Sequence, residues 1–201
     1  MITAVWDIET SGLNPGFDWI LCSSLALLDH RNEVADVRTL RLDEYYVHSP
    51  GLAYGGRAAF VDLTDDSHLV AAVVDSLQGV DCLVTWNGKR FDMRFLKARQ
   101  IIWAARGAIP TRTVPKLWHI DGLPIWKYHF GTRGARLAQV ERFLNCNVRK
   151  TPLDERTWGL AQTGHQPSLD KVVEHNIADV QVLAEVYRKI LPFIGQVQRQ
   201  G

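Results

Sequence analysis

The sequence predicts an α/β layer fold with a mixed sheet, on three observations. Three apolar, β-branched segments follow one another at the start of the chain. Helical apolar periods then alternate with short apolar runs. Gly, Asn and Asp turn signals separate these segments.

Ile2 to Ile8 is apolar and β-branched, and reads as a buried strand. Ser11-Gly12-Leu13-Asn14-Pro15-Gly16 is turn chemistry. Trp19 to Leu28 and Val34 to Leu42 read as two further strands. The tight segment Asp29-His30-Arg31-Asn32 joins them, so the first three strands are expected to be antiparallel. Residues 43–63 carry Tyr45, Tyr46, Pro50, Tyr54, Gly55 and Gly56 without a clear period, and read as a long loop.

Thr64 or Asp65 can cap a helix with apolar positions at Leu69, Val70, Val73, Val74 and Leu77, ended by Gly79. Val80 to Trp86 reads as a short buried strand and Asn87-Gly88 as a turn. A helix over 91–105 follows, with Phe95, Leu96, Ile101 and Ile102 apolar. Gly107 to Pro115 reads as a loop and Leu117 to Ile120 as a short strand. Leu137, Val140, Phe143 and Leu144 mark another helix. The last helix is expected to start near Ser168 and to carry Val172, Val173, Val180, Leu183, Val186 and Ile190 on its apolar face. With no repeat and no linker-like tract, the expectation is one domain over 1–201.

The 201 residues hold 23 Lys+Arg and 22 Asp+Glu, for a formal net charge of +1. That balance hides a split. Residues 1–88 sum to −9, residues 89–150 to +11, and residues 151–201 to −1. Asymmetry of this size is a cue for a polyanionic partner. No apolar run is long enough to span a membrane, and the first residues lack the pattern of a secretory signal. A cytoplasmic, non-secreted location is therefore expected (the host cytoplasm for a phage-encoded chain). Cys22, Cys82 and Cys146 lack CxxC spacing and are expected to be reduced core thiols.

Three clusters carry chemistry. Asp7-Ile8-Glu9 places two carboxylates on one face of the first strand. Adjacent like charges are unfavourable without a cation between them, so the pair reads as a metal site or as a solvated strand end. Asp92 follows the Asn87-Gly88 turn in the first turn of a helix. There it can be a helix-terminal carboxylate or a third metal ligand. Lys89, Arg90 and Arg94 beside it suit phosphate contacts. His175 and Asp179 are i and i+4 on the last helix, hence on one face. They read as a surface pair or as part of the same site. Together, four carboxylates make an all-oxygen donor set that selects Mg²⁺ or Mn²⁺. Two divalent ions would balance its charge, as two-metal phosphodiester cleavage requires.

Trp6-Asp7-Ile8-Glu9-Thr10-Ser11-Gly12-Leu13 resembles the first motif of the DEDD superfamily of 3′–5′ exonucleases, which have a ribonuclease H-like fold. Thr85 to Leu96 resembles their second motif, and His175 to Asp179 their third. The stretch Leu137 to Cys146 is similar to the segment preceding the third motif in the exonuclease domains of family B DNA polymerases and their stand-alone relatives. The resemblance spans about residues 2–192 and implies a catalytic core of that extent, with a ribonuclease H-like mixed sheet flanked by helices, and hydrolysis of DNA or RNA from a single-stranded 3′ end to release nucleoside 5′-monophosphates. It further implies two divalent ions on Asp7, Glu9, Asp92 and Asp179, with His175 activating water. Thr10, Leu13, Asn87 and Phe91 would border the substrate, and Lys89, Arg90, Arg94, Arg133 and Arg136 would contact its phosphates.

One feature departs from that pattern. The histidine branch places its His five residues before the last Asp, and the tyrosine branch a Tyr four before; here His175 stands four before Asp179. One residue turns a helical side chain by about 100°. A structure-selective endonuclease, a non-catalytic nucleic-acid-binding module and a hydrolase of small phosphoesters are the competing classes. No protein partner is indicated.

Overall fold

The computed structural model describes residues 1–46, 48–49, 60–149 and 151–194. Among them run seven strands: β1 (Thr3–Thr10), β2 (Ile20–Leu28), β3 (Val34–Arg41), β4 (His48–Ser49), β5 (Phe60–Val61), β6 (Cys82–Thr85) and β7 (Trp118–Asp121). Six helices accompany them: α1 (Ser67–Ser76), α2 (Asp92–Ala105), α3 (Gly122–Phe130), α4 (Leu137–Phe143), α5 (Glu155–Gln162) and α6 (Gln166–Ile194). Five strands form one sheet in the order β3-β2-β1-β6-β7. β1 pairs antiparallel with β2, and β2 with β3; β1 pairs parallel with β6, and β6 with β7. The expected mixed sheet is present.

Period-two alternation along β1 divides the core. Ala4, Trp6 and Ile8 pack with Leu69 and Val73 of α1 and Phe95 and Leu96 of α2. Val5 faces the other way, into a cluster with Val84, Ile120, Val140, Val180 and Leu183. Asp7 and Glu9 share the face of Val5, on the side where α6 crosses the sheet. Cys22, Cys82 and Cys146 are buried free thiols. No helix among the described residues is long and apolar enough to cross a membrane.

Several elements differ from the sequence expectation. Residues 43–63 are not all loop: Leu42–Glu44 forms a 3-10 turn, and β4 pairs antiparallel with β5. Pro50, Tyr54, Gly55 and Gly56 lie outside the described residues. Neither Thr64 nor Asp65 is the residue before α1; that residue is Asp66, and its side chain does not cap. Asp66 is fully buried instead. It accepts hydrogen bonds from Ile20 N (2.8 Å), Arg99 Nη2 (2.6 Å) and Trp103 Nε1 (2.6 Å), tying α1, α2 and β2 together. Ile101, one of the apolar residues of α2, is 68% exposed, because Trp103, Arg99 and Gln100 occupy the buried face with Phe95 and Leu96. Phe143 of α4 is likewise exposed, whereas Leu137 and Val140 are buried. α3 and α5 have no counterpart in the sequence reading, and α6 begins at Gln166.

Candidate metal centre

The pairing of β1 creates the site. Its ladder with β2 runs from Thr3 to Thr10, but its parallel ladder with β6 covers only Thr3 to Val5. Beyond Val5 the strand therefore parts from β6. The Ile8 N–H on that side donates to Asp92 Oδ1 at 3.3 Å. Asp92 opens α2 and is 4% exposed. Burial pushes its carboxyl up to about 7, opposed by its own N–H and that of Ile8, with the Asp121 charge adding to the rise.

Asn87 has φ +69, which turns the chain from β6 toward α2. A Cβ on Gly88 would lie 2.5 Å from the Thr85 Cβ, so only glycine lets this turn fold back on the strand. The Asp121 carboxylate secures the turn by accepting from Asn87 N (2.7 Å) and Lys89 N (3.1 Å), while also capping α3 at Leu123 N.

α6 supplies the opposite wall. His175 Nε2 lies 3.8 Å from Asp179 Oδ2 and 3.9 Å from Glu9 Oε1. Ligand atoms of Glu9, His175 and Asp179 all fall within 4.8 Å of one another. The four-residue spacing thus does turn the imidazole toward the carboxylates. Its other nitrogen, Nδ1, lies 3.1 Å from Thr151 Oγ1. Asn176, the next residue, is fully buried and donates from Nδ2 to Asp7 Oδ2 at 2.8 Å. Asp7 and Asp179 line one cavity together. The carboxylates of Glu9 and Asp179, gathered with the His175 imidazole, fit a divalent cation, because carboxylates brought this close are stabilised by positive charge between them; Asp7 shares the cavity of Asp179, and Asp92 is tied to the edge of β1 at Ile8.

The other expected residues fall into two groups. Asn87 and Arg136 line the cavity of Asp7 and Asp179. Lys89 and Arg90 line an adjoining one. Leu13 stands 83% exposed on the turn after β1. Arg94 and Arg133 are exposed on the surface and line neither of these cavities. The Thr10 hydroxyl is turned inward, donating to Gly12 O, and the Thr10 carbonyl accepts from Trp158 Nε1. Phe91 is half-buried and packs on Phe95, with ring centroids 5.7 Å apart. Of the tryptophans, Trp6, Trp103 and Trp126 are core residues. Trp86 edges the cavity and donates to Ala135 O.

Asn176, Thr151 and Asp121 were missed by the sequence reading. Only Asp121 carried a local signal, an Asp directly before the helical segment that starts at Gly122. Asn176 and Thr151 become visible only once α6 is laid across the end of β1.

Comparison with known proteins agrees with this architecture. A family model described as RNase_H superfamily matches residues 4–191. No curated protein matches in sequence. Among solved structures, a family B DNA polymerase from the hyperthermophilic archaeon Pyrobaculum calidifontis superposes with a TM-score of 0.63 at 16% identity. The superposition covers 98% of this chain and 25% of the polymerase, so this chain spans about a quarter of that protein's length.

Proposed function

The chain belongs to the RNase H superfamily, and from that premise we propose that it is a metal-dependent 3′–5′ exonuclease acting on DNA or RNA. Membership supports nuclease-type chemistry in general terms. The single observation that carries the finer reading is the convergence of Glu9 from β1 with His175 and Asp179 from α6, beside Asp7 and Asp92. The reading takes the chain as one exonuclease domain over 1–201.

In this reading Asp7, Glu9, Asp92 and Asp179 would hold two divalent ions, Mg²⁺ or Mn²⁺. Such ions would supply Lewis-acid stabilisation of the phosphoryl charge and of the leaving 3′-oxygen, and would lower the pKa of water. The protein's own contribution is to orient. Asn176 holds Asp7, and the Ile8 N–H holds Asp92. His175 takes the proton of the attacking water at Nε2, the nitrogen facing Glu9 and Asp179. That role requires the neutral tautomer with hydrogen on Nδ1, which then donates to Thr151 Oγ1. Arg136, Lys89 and Arg90 would contact phosphates along the cavities. The products would be nucleoside 5′-monophosphates.

The test uses 5′-labelled single-stranded DNA and RNA oligonucleotides with Mg²⁺, Mn²⁺ or EDTA. A ladder shortening by one nucleotide at a time, absent in EDTA and in Asp7→Ala, is expected. A single internal cut would replace this reading with an endonuclease. Binding without cleavage under either metal would replace it with a non-catalytic binding module.

A further inference from the structure

The segment between α4 and α5 runs back along α6 and is fastened to it at successive stations. Lys189 Nζ donates to the carbonyls of Leu144 (2.9 Å) and Asn145 (3.0 Å), just past the end of α4. One turn earlier on α6, Glu185 Oε2 accepts from Asn147 N (2.8 Å) and Val148 N (3.3 Å). Glu185 Oε1 lies 3.1 Å from Lys189 Nζ, so the two side chains form one clamp. Further back along the helix, His175 Nδ1 lies 3.1 Å from Thr151 Oγ1. As the loop advances from Leu144 to Thr151, its partners on α6 recede from Lys189 to His175.

Polar contacts, rather than apolar burial, fix this path. Of the described residues between α4 and α5, Cys146 is buried, Leu144, Val148 and Leu153 are half-buried, and Thr151 is exposed. Glu185, by contrast, is 8% exposed. A carboxylate so far out of water needs partners for its oxygens, and the loop N–H groups and the Lys189 ammonium supply them. Arg149 adds a second tie, donating from Nη1 to Glu141 O at 3.2 Å. Thr151 stands three residues beyond Val148, a reach of at most about 11 Å. Along α6, Glu185 and His175 are separated by about 15 Å. With Val148 held at Glu185, Thr151 has little freedom to leave His175.

We propose that Glu185 and Lys189 are positioning residues for His175, acting through Thr151. The clamp fixes the loop, and the loop presents the Thr151 hydroxyl to Nδ1. That contact fixes the ring with Nε2 toward Glu9 and Asp179. Without it the imidazole turns about its side-chain bonds, and Nε2 spends less of its time facing the carboxylates. The effect on hydrolysis rests on the exonuclease reading above; the control of ring orientation does not.

The test uses Lys189→Met, which removes the donor but keeps an apolar stem at a side chain 31% exposed. Thr151→Val removes the hydroxyl at nearly constant shape. Histidine side-chain ¹⁵N NMR in EDTA, at one pH, reads the ring without metal or substrate. Lys189→Met should move the His175 resonances in the direction that Thr151→Val moves them. The resonances of His119, on β7, should stay in place, which separates a released ring from a lost fold. In single-turnover hydrolysis of a labelled oligonucleotide with Mg²⁺, each variant should be about 3- to 30-fold slower than wild type. The double variant should be no slower than the slower single one, because both changes break one chain of contacts. His175 resonances unmoved in Lys189→Met overturn the clamp. So do rate losses that multiply in the double variant, or a wild-type rate in Lys189→Met. His175 resonances that respond as expected, in a protein that leaves every strand intact in Mg²⁺ and Mn²⁺, keep the clamp and remove the exonuclease reading. A wild-type ladder with His175 unmoved in Lys189→Met does the reverse.

Discussion

Asn176 Nδ2 donates to Asp7 Oδ2 at 2.8 Å, joining the middle of α6 to the end of β1 through a fully buried amide. In the exonuclease reading this bond holds a metal-binding carboxylate in its rotamer. Removing such a supporting partner typically costs about 10- to 100-fold in metal affinity or activity. Asn176→Ala is predicted to lower the single-turnover rate by that factor. It should also destabilise the fold by about 1–3 kcal/mol, since Asp7 loses a buried donor. A wild-type rate in this variant, measured on a labelled oligonucleotide, would remove the positioning role.

The Asp92 carboxyl is pushed up to about 7 by burial. Its folded pKa lies above the unfolded value of about 3.9. Without divalent ions, its contribution to stability should therefore grow as pH falls from about 7 to about 4. Asp92→Asn removes the buried charge while keeping an acceptor for the Ile8 N–H. At pH 8 in EDTA this variant should melt higher than wild type, by about 2–4 °C for each kcal/mol relieved, and the gap should close toward pH 4. It should also lose the ladder. A lower melting temperature at pH 8 would contradict the burial account.

His175→Ala is predicted to slow hydrolysis at neutral pH by about 10²- to 10⁴-fold. Thr151→Ala should cause a smaller loss, because it removes only the group that orients the ring. Full activity of His175→Ala near pH 7 would exclude His175 as the proton acceptor.

Asp66 accepts from Arg99, Trp103 and the Ile20 N–H inside the core. Asp66→Ala leaves the Arg99 charge buried among apolar groups, and is predicted to cost about 3–5 kcal/mol in urea denaturation. Asp36→Ala breaks an ion pair with Arg38 whose two side chains are more than half exposed. Its cost should stay below about 1 kcal/mol. Equal costs for the two would deny that burial sets the difference.

The sequence carried the strands of the sheet and the apolar face of α6 because each satisfies a single period, two or 3.6, over many residues. Asp7, Glu9, His175 and Asp179 were legible for the same reason, since fixed spacing on one element fixes the face. Asp66 drew no notice because the cap was sought at Thr64 or Asp65, and its side-chain partners lie 33 and 37 positions away. α3 and α5 escaped notice because each is short, and each contains a residue that usually breaks a helix, Pro124 and Gly159. Ile101 is apolar, yet the α2 face toward the core is taken by Trp103, whose ring centroid lies 5.1 Å from the Arg99 guanidinium and 4.9 Å from that of Arg106. Asn176 and Thr151 act across the fold, so no local pattern marks them.

The alternation along β1 places strict limits on how this chain can change over evolutionary time. Ile8 packs against α1 and α2, while Asp7 and Glu9 face α6 from the opposite side. An in-frame insertion or deletion of one codon between Val5 and Asp7 would exchange the faces, driving two carboxylates into an apolar core and turning an isoleucine toward the cleft. Such a lineage would lose the fold and the site in one event. Length variation should therefore collect in the segments between elements, and within β1 only changes of two residues preserve the parity that the site depends on.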